Sequence, residues 1–455
     1  MFDDIVALMP YATVINLSLA LIGIYIAVKF RLPCYHPLVL FQFYYLAGYG
    51  LRPLAISLDG GSIVWDRIGI NLSLYDGVQA LVVSFIFWLF FTLTSIYITL
   101  KNIRRKNYLI PPHNTKLEIK YENLFNILCY AMIIVGMAVT WKMISGRGDS
   151  IYAFQTEVDS MGKQKMVGES GYFTMMAEWP IIGILLLLLK QGLDKKTSVV
   201  LILFFLLRIY VGAQRLSFIA IAIMLCFYLL IQTRRTWPPV KFIAPALLIL
   251  FIFNFVGSDR LLLQRVAEGR ESPMALLESK ESGTSALSEH TGHFAEFDVL
   301  CNVVKVVPEP LGYNYFCQYL RIFIWPIPRQ VWKDKPVVTS LVNFSKLGNF
   351  YALTTSSIGD SYTNLGTWGT WIMACVWSFL LTTVYCAMCN SKKRPYIMIL
   401  FFAICGYIST VFRDGGVTSI YFILVTIVPA YLIILICRPL GKTQKNERPT
   451  KSRII

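Results

Sequence analysis

Hydrophobic residues run along the chain in blocks near 5–28, 37–56, 77–100, 123–142, 173–190, 198–212, 216–232, 241–257, 369–390, 396–412 and 417–437. Several reach or exceed the ~18–20 residues that a helix needs to cross a ~30 Å hydrocarbon layer. They predict an all-α, polytopic transmembrane protein of about eleven spans, within a range of ten to twelve. Two stretches are too long for one crossing. Between Lys196 and Arg234 the chain is apolar for about 37 residues, some 55 Å as a helix, so it has to turn back. The natural turn is Gly212-Ala213-Gln214-Arg215. The same reasoning between Arg394 and Arg438 puts a turn at Arg413-Asp414-Gly415-Gly416.

Composition agrees with a bilayer as the solvent. The 455 residues are 56% hydrophobic and 15% charged, with mean hydropathy +0.58, too little polar material to cover a soluble core of this size. The chain opens Met1-Phe2-Asp3-Asp4, without the basic segment of a secretory leader, so the first span is expected to act as its own insertion signal. The net charge of +16 raises the question of nucleic acid, but no aromatic–basic nucleic-acid motif is present. The bases instead sort by loop. Lys29 and Arg31, Lys101 to Lys106, Lys190 to Lys196, Arg234 to Lys241, Lys392 to Arg394 and the 438–455 tail are basic and nearly free of acid. The alternate loops mix both signs. The positive-inside rule then predicts a cytoplasmic C-terminus, an outer N-terminus and an outer position for the mixed loops. The organisation expected is a bundle of about eight spans over 1–257, a large outer loop over 258–368, the last spans over 369–437 and a basic cytoplasmic tail over 438–455. Of the ten cysteines, Cys129, Cys226, Cys375, Cys405 and Cys437 lie in apolar runs and read as small hydrophobes. Cys386 and Cys389 form a lone CxxC with no second pair, so no metal centre is expected there.

Candidate chemistry gathers on the outer side. Arg52, Arg147, Arg208, Arg215, Arg321, Arg329 and Arg413 all lie on or toward it. Arginine near hydrocarbon is costly and is tolerated when it snorkels to headgroups, pairs with an acid or faces a polar cavity. Several converging guanidinium groups suit an anion, most simply a phosphate or diphosphate held bidentately. In the large loop, His290-Thr291-Gly292-His293-Phe294-Ala295-Glu296-Phe297-Asp298 offers His293, Glu296 and Asp298 as proton-transfer groups, with hydrogen bonding or capping as the alternative. The histidine spacing alone does not make a metal site, since no further ligand cluster accompanies it. Residues 313–325 are aromatic, apolar and too short to span, and predict an interfacial helix. The proline-rich Trp325-Pro326-Ile327-Pro328-Arg329 that follows is a rigid presenter of Arg329.

The order of these pieces resembles the bacterial O-antigen, or oligosaccharide repeat-unit, polymerases across most of the chain. The resemblance rests on His36-Pro37 to Arg52-Pro53, on Gly212-x-x-Arg215 and on Pro326-x-Pro328-Arg329-x-x-Trp332-x-x-Lys335-Pro336. It also rests on Gly359-Asp360-x-Tyr362-x-Asn364-x-Gly366 and on Arg413-Asp414-Gly415 before the last span. One departure is Asp360, where the family more often has glutamate with its longer reach. The resemblance implies a GT-C-like, metal-independent glycosyltransferase without cofactor. It would join undecaprenyl-diphosphate-linked oligosaccharides at the outer face of a bacterial plasma membrane, with a chain-length regulator and a flippase as partners. Arg215, Arg329, Arg413 and Arg52 are then expected to hold the diphosphate, and Glu296, Asp360 and His293, in that order, to receive the acceptor proton. The alternatives are an O-antigen ligase, which shares the lipid-linked donor, and a lipid-linked-oligosaccharide flippase. Transporters of that kind usually show two related halves, and no internal repeat is evident.

Overall fold

A computed structural model describes residues 3–59, 72–104, 110–111, 117–145, 156–158, 164–166, 176–210, 215–239, 295–324, 327, 331–332, 355–390 and 395–437. Apart from a short antiparallel hairpin, in which Thr156–Val158 (β1) pairs with Gln164–Met166 (β2), the regular structure described is helical. The helices are Asp3–Lys29 (α1), Pro37–Tyr45 (α2), Arg52–Asp59 (α3), Leu74–Arg104 (α4), Glu122–Ser145 (α5), Trp179–Gln191 (α6), Lys195–Tyr210 (α7) and Arg215–Gln232 (α8). After these come Glu296–Val306 (α9), Cys317–Leu320 (α10), Ser356–Asn390 (α11), Pro395–Gly406 (α12), Ile408–Arg413 (α13) and Gly416–Cys437 (α14). Five helices are long and apolar enough to cross a membrane: Ile5–Lys29, Leu74–Arg104, Glu122–Lys142, Ser356–Asn390 and Ser419–Cys437. Trp179–Gln191, Phe218–Gln232 and Pro395–Gly406 are shorter apolar helices beside them. The expected block at 241–257 lies outside the described residues.

Two apolar cores divide the bundle. One joins α1, α2, α4, α9, α11 and α13 through residues such as Phe41, Phe87, Phe91, Phe297 and Phe412. The other joins α5, α6, α8, α12 and α14 around Phe125, Leu186, Phe227 and Phe402. Lipid offers no hydrophobic incentive for helices to associate, so close backbone approach and interhelical hydrogen bonds take that role. Four side-chain rungs do so in the first half of the bundle. The Tyr45 hydroxyl donates to Asn16 Oδ1 at 2.7 Å, and Trp88 Nε1 to Gln42 Oε1 at 2.8 Å. Ser95 and Thr382 hydroxyls meet at 3.0 Å, and Asn390 Nδ2 donates to Asn102 Oδ1 at 2.8 Å. His36 sits at the N-cap of α2, where its Nδ1 accepts from Leu38 N, and Pro37 follows in the first helical position, where no N–H is needed.

Three departures from the expected spans have physical causes. First, α2 continues through a π-helical turn, Leu46–Leu51, into α3, so the second block is one helical rod that widens at that turn. Second, α11 begins at Ser356, well before the expected 369. Asp360, Ser361, Thr363 and Asn364 read as loop, but hydroxyl and amide groups bond back to the helix's own carbonyls, Thr363 and Asn364 both to Asp360 O at 2.8 and 2.7 Å. The helix kinks at Leu365 and Gly366, and Gly366 takes φ +59°, which favours glycine. The carbonyls freed there are satisfied from outside: Asn314 N donates to Thr363 O and Tyr315 N to Asn364 O, at 2.8 and 3.1 Å. Third, residues 313–324 hold only the short α10 and a 3-10 turn, Arg321–Ile324, and the helix starts late because the N–H groups of Asn314, Tyr315 and Phe316 are given to Thr363 O, Asn364 O and Asn364 Oδ1 at this kink.

Helices α5 and α6 touch through glycine. A Cβ on Gly183 would lie 2.6 Å from Ile133 Cγ1 and 2.8 Å from Cys129 O. Gly183→Ala is therefore expected to cost about 1–3 kcal/mol, typical of overpacking. It should lower the melting temperature of the detergent-solubilised protein relative to the wild type.

Candidate functional site

The site is built around α9, an eleven-residue helix with Glu296 and Asp298 in its first turn. Acids there complement the helix's N-terminal partial charge. The helix is buried almost throughout and packs on α4, α11 and the π-helical turn. Its anchor is Arg52, the first residue of α3. Arg52 Nη2 lies 2.9 Å from Asp298 Oδ2 and its Nε donates to the same oxygen at 3.0 Å, with side chains 1% and 0% exposed. At the other end Lys305 Nζ stands 3.3 Å from Asp76 Oδ2, an oxygen that also accepts from Ser73 N and Oγ.

Glu296 is placed differently. Its Oε2 rests on the π-helical turn, where a Cβ on Gly48 would come within 2.5 Å of it. That oxygen is buried and has no hydrogen-bond partner among the described residues. The Tyr44 hydroxyl, one turn before Gly48, lies against the carboxyl without reaching hydrogen-bond geometry, and it too has no partner among the described residues. Burial pushes the Glu296 carboxyl up to about 7, against the opposing pull of Arg413.

Arg413 ends α13, and its guanidinium is about half exposed, touching Asp414 only at 3.7 Å. Its turn is held from below by Asp360. Asp360 Oδ1 accepts from Gln318 Nε2 at 2.7 Å, and Oδ2 from the Tyr319 hydroxyl at 2.7 Å and from Gly416 N at 3.1 Å. Gly415, at φ +87°, brings its backbone against the Asp360 side chain, where a Cβ would be 3.2 Å away. Asp360 thus caps α14 and ties together α10, the start of α11 and the turn bearing Arg413. Burial raises the Asp414 carboxyl above its ordinary range, and Arg413 opposes this.

Of the residues expected from sequence, Arg52, Glu296, Asp360 and Arg413 gather around α9 and the 413–416 turn. They do not play equal parts. Arg52 is occupied by Asp298, Asp360 by three donors, while Glu296 and Arg413 keep hydrogen-bonding or charge capacity. Arg215 opens α8, with its side chain outside the described residues, and His293 and Arg329 fall outside them entirely. Arg208 belongs to a second, separate buried pair, with Nη2 2.9 Å from Glu178 Oε1. Sequence reasoning overlooked Tyr44, Gly48, Gln318 and Tyr319. Only the run Leu46-Ala47-Gly48-Tyr49-Gly50, two glycines beside tyrosine in an apolar block, signalled that something approaches closely there. Among the described residues, no three His, Cys, Asp or Glu side chains form a group able to hold a metal ion.

Comparison with family models, with curated proteins and with solved structures gives no significant match.

The Glu296 environment has a pH signature. A carboxyl raised from 4.5 to about 7 on folding binds its proton more tightly in the folded state. Its contribution is full below the unfolded value and is lost as pH rises through about 7. Melting temperature should therefore fall between pH 4.5 and 8, and Glu296→Gln, neutral at every pH, should flatten that part of the profile.

Proposed function

We propose that this chain is a multi-pass membrane glycosyltransferase of the oligosaccharide repeat-unit polymerase type, with about eleven spans in a GT-C-like arrangement. It joins undecaprenyl-diphosphate-linked oligosaccharides into O-antigen or capsular polysaccharide at the outer face of a bacterial plasma membrane. The observation that carries the reading is the half-exposed Arg413, whose charge acts on the buried, incompletely bonded Glu296. Both belong to segments that Asp360 and Arg52 hold in place, and three of those four residues lie in the motifs on which the resemblance rests.

The chemistry follows from these positions. A hydroxyl oxygen of the acceptor sugar bonds to the anomeric carbon of the donor glycan as that carbon's bond to the diphosphate breaks. The hydroxyl proton passes to the Glu296 carboxylate, and the electron pair leaves with undecaprenyl diphosphate. Charge that builds on this leaving group is stabilised by Arg413, a permanent cation at the edge of the site, with Arg215 and Arg329 as further phosphate ligands. Arginine does here what a divalent ion does elsewhere. The buried, shifted carboxyl suits the proton step, since a base near its working pH both accepts and releases readily.

Deletion of the gene in its host, followed by gel analysis of the surface glycan and of carrier-lipid extracts, tests this. Lipid A–core bearing a single repeat unit, or for a capsule single lipid-linked units accumulating outside, is the expected result. Arg413→Ala at normal protein level should reproduce it, with turnover lower by roughly 10²–10³. Long polymer stranded on the carrier lipid would make the protein a ligase, and units trapped on the cytoplasmic leaflet a flippase. Unchanged chain length in Arg413→Ala would contradict the assignment of the phosphate site.

A further inference from the structure

Two oxygens near the π-helical turn, Glu296 Oε2 and Tyr44 Oη, are buried, and neither has a hydrogen-bond partner among the described residues. Buried polar atoms left this way are costly, at a few per protein, and they gather where a ligand or water completes them. Here they share a face. Tyr44 and Gly48 are one turn apart, and Glu296 Oε2 lies in the space that the missing Gly48 side chain leaves. Ser409 and Thr410, one turn before Arg413, also end in buried hydroxyls without partners among the described residues. Tyr44 is held in place by its ring, stacked on Phe412 at 5.5 Å, so its hydroxyl is fixed without any bond of its own. The titratable and charged groups facing Glu296 are Tyr44 and Tyr49 from the α2 rod, Arg413 from α13 and Asp298 from its own helix.

From this geometry, and resting on the polymerase reading, we infer that Glu296 and Tyr44 together form the acceptor-sugar subsite. Glu296 Oε2 receives the proton of the attacking hydroxyl, and the Tyr44 hydroxyl bonds a neighbouring hydroxyl of the same sugar ring. A sugar presents two such groups side by side, which matches two unfilled oxygens on adjacent side chains. As the new bond to the anomeric carbon forms and the diphosphate departs toward Arg413, the proton remains on Glu296 until it is released to solvent. Tyr44 keeps its own proton throughout and serves binding. Gly48 is the positioning residue that makes room for the carboxyl.

The test uses the full-length protein reconstituted in liposomes. The donor is the lipid-linked repeat unit extracted from the deletion strain. The acceptor is the same oligosaccharide released by mild acid, which accepts but cannot donate. Tyr44→Phe should raise the acceptor KM roughly three- to tenfold, the worth of one neutral hydrogen bond. Its melting temperature should not fall, because the lost hydroxyl bonds no described protein group. Glu296→Gln should lower kcat about a hundredfold or more, as loss of a general base does, with a smaller change in KM. An unchanged KM in Tyr44→Phe, or a loss seen only in kcat together with melting temperature, overturns the subsite. If the wild-type chain extends no acceptor and joins no units, the polymerase reading falls and the subsite falls with it.

Discussion

Two full charges, Arg52 and Asp298, meet 2.9 Å apart with essentially no exposure, and their pairing decides where α9 can be. Removing two ions from water costs several kcal/mol each, which their mutual attraction offsets only when geometry is good. Either charge left alone in that position is far worse, about 3–5 kcal/mol. The pair therefore contributes modest net stability while tying the helix that bears Asp298, packed on α4, α11 and the π-helical turn, to the first residue of α3. With α9 fixed, Glu296 is fixed two residues earlier, and it has nowhere to go but against Gly48 and Tyr44. A segment remote in sequence, 246 positions from Arg52, becomes part of the bundle interior.

Asp360 plays the matching part on the other side. Its carboxylate accepts from a side-chain amide, a tyrosine hydroxyl and a backbone N–H, so every donor around it draws a different segment inward. The positive φ of Gly415 lets the turn approach that carboxylate, and Arg413 is thereby held where its charge acts on Glu296. The aspartate's short side chain suits this task, since a longer acid would push the turn outward. One buried pair and one buried acceptor thus fix a cation and a carboxyl relative to one another, while both helices that bear them are short.

The spans were legible because the bilayer imposes a simple demand. Blocks at 5–28, 77–100 and 123–142 became Asp3–Lys29, Leu74–Arg104 and Glu122–Ser145, within a few residues at each end. The turn at Arg413-Asp414-Gly415 was legible for the same reason, as the place where an overlong apolar run must reverse. What sequence could not convey was commitment. Arg52 and Arg413 look alike as outer-side arginines, yet one is locked to an acid whose own sequence neighbourhood reads as loop. Asp360 looks like a base, and only its three donors show that it is a tie. The early start of α11 was hidden because serine, threonine, asparagine and aspartate depress hydropathy, although each finds a partner once folded. Tyr44 was hidden in an aromatic run where many tyrosines serve packing alone.

Hydrogen exchange of residues 296–306 in lipid nanodiscs, compared between the wild type and Arg52→Met, addresses the docking of α9 most directly. Wild-type amides there should exchange as slowly as those of the Leu74–Arg104 helix, and acceleration in the variant should be concentrated in α9 and the π-helical turn. Wild-type amides exchanging as fast as open chain, or a variant with unchanged protection, would contradict it.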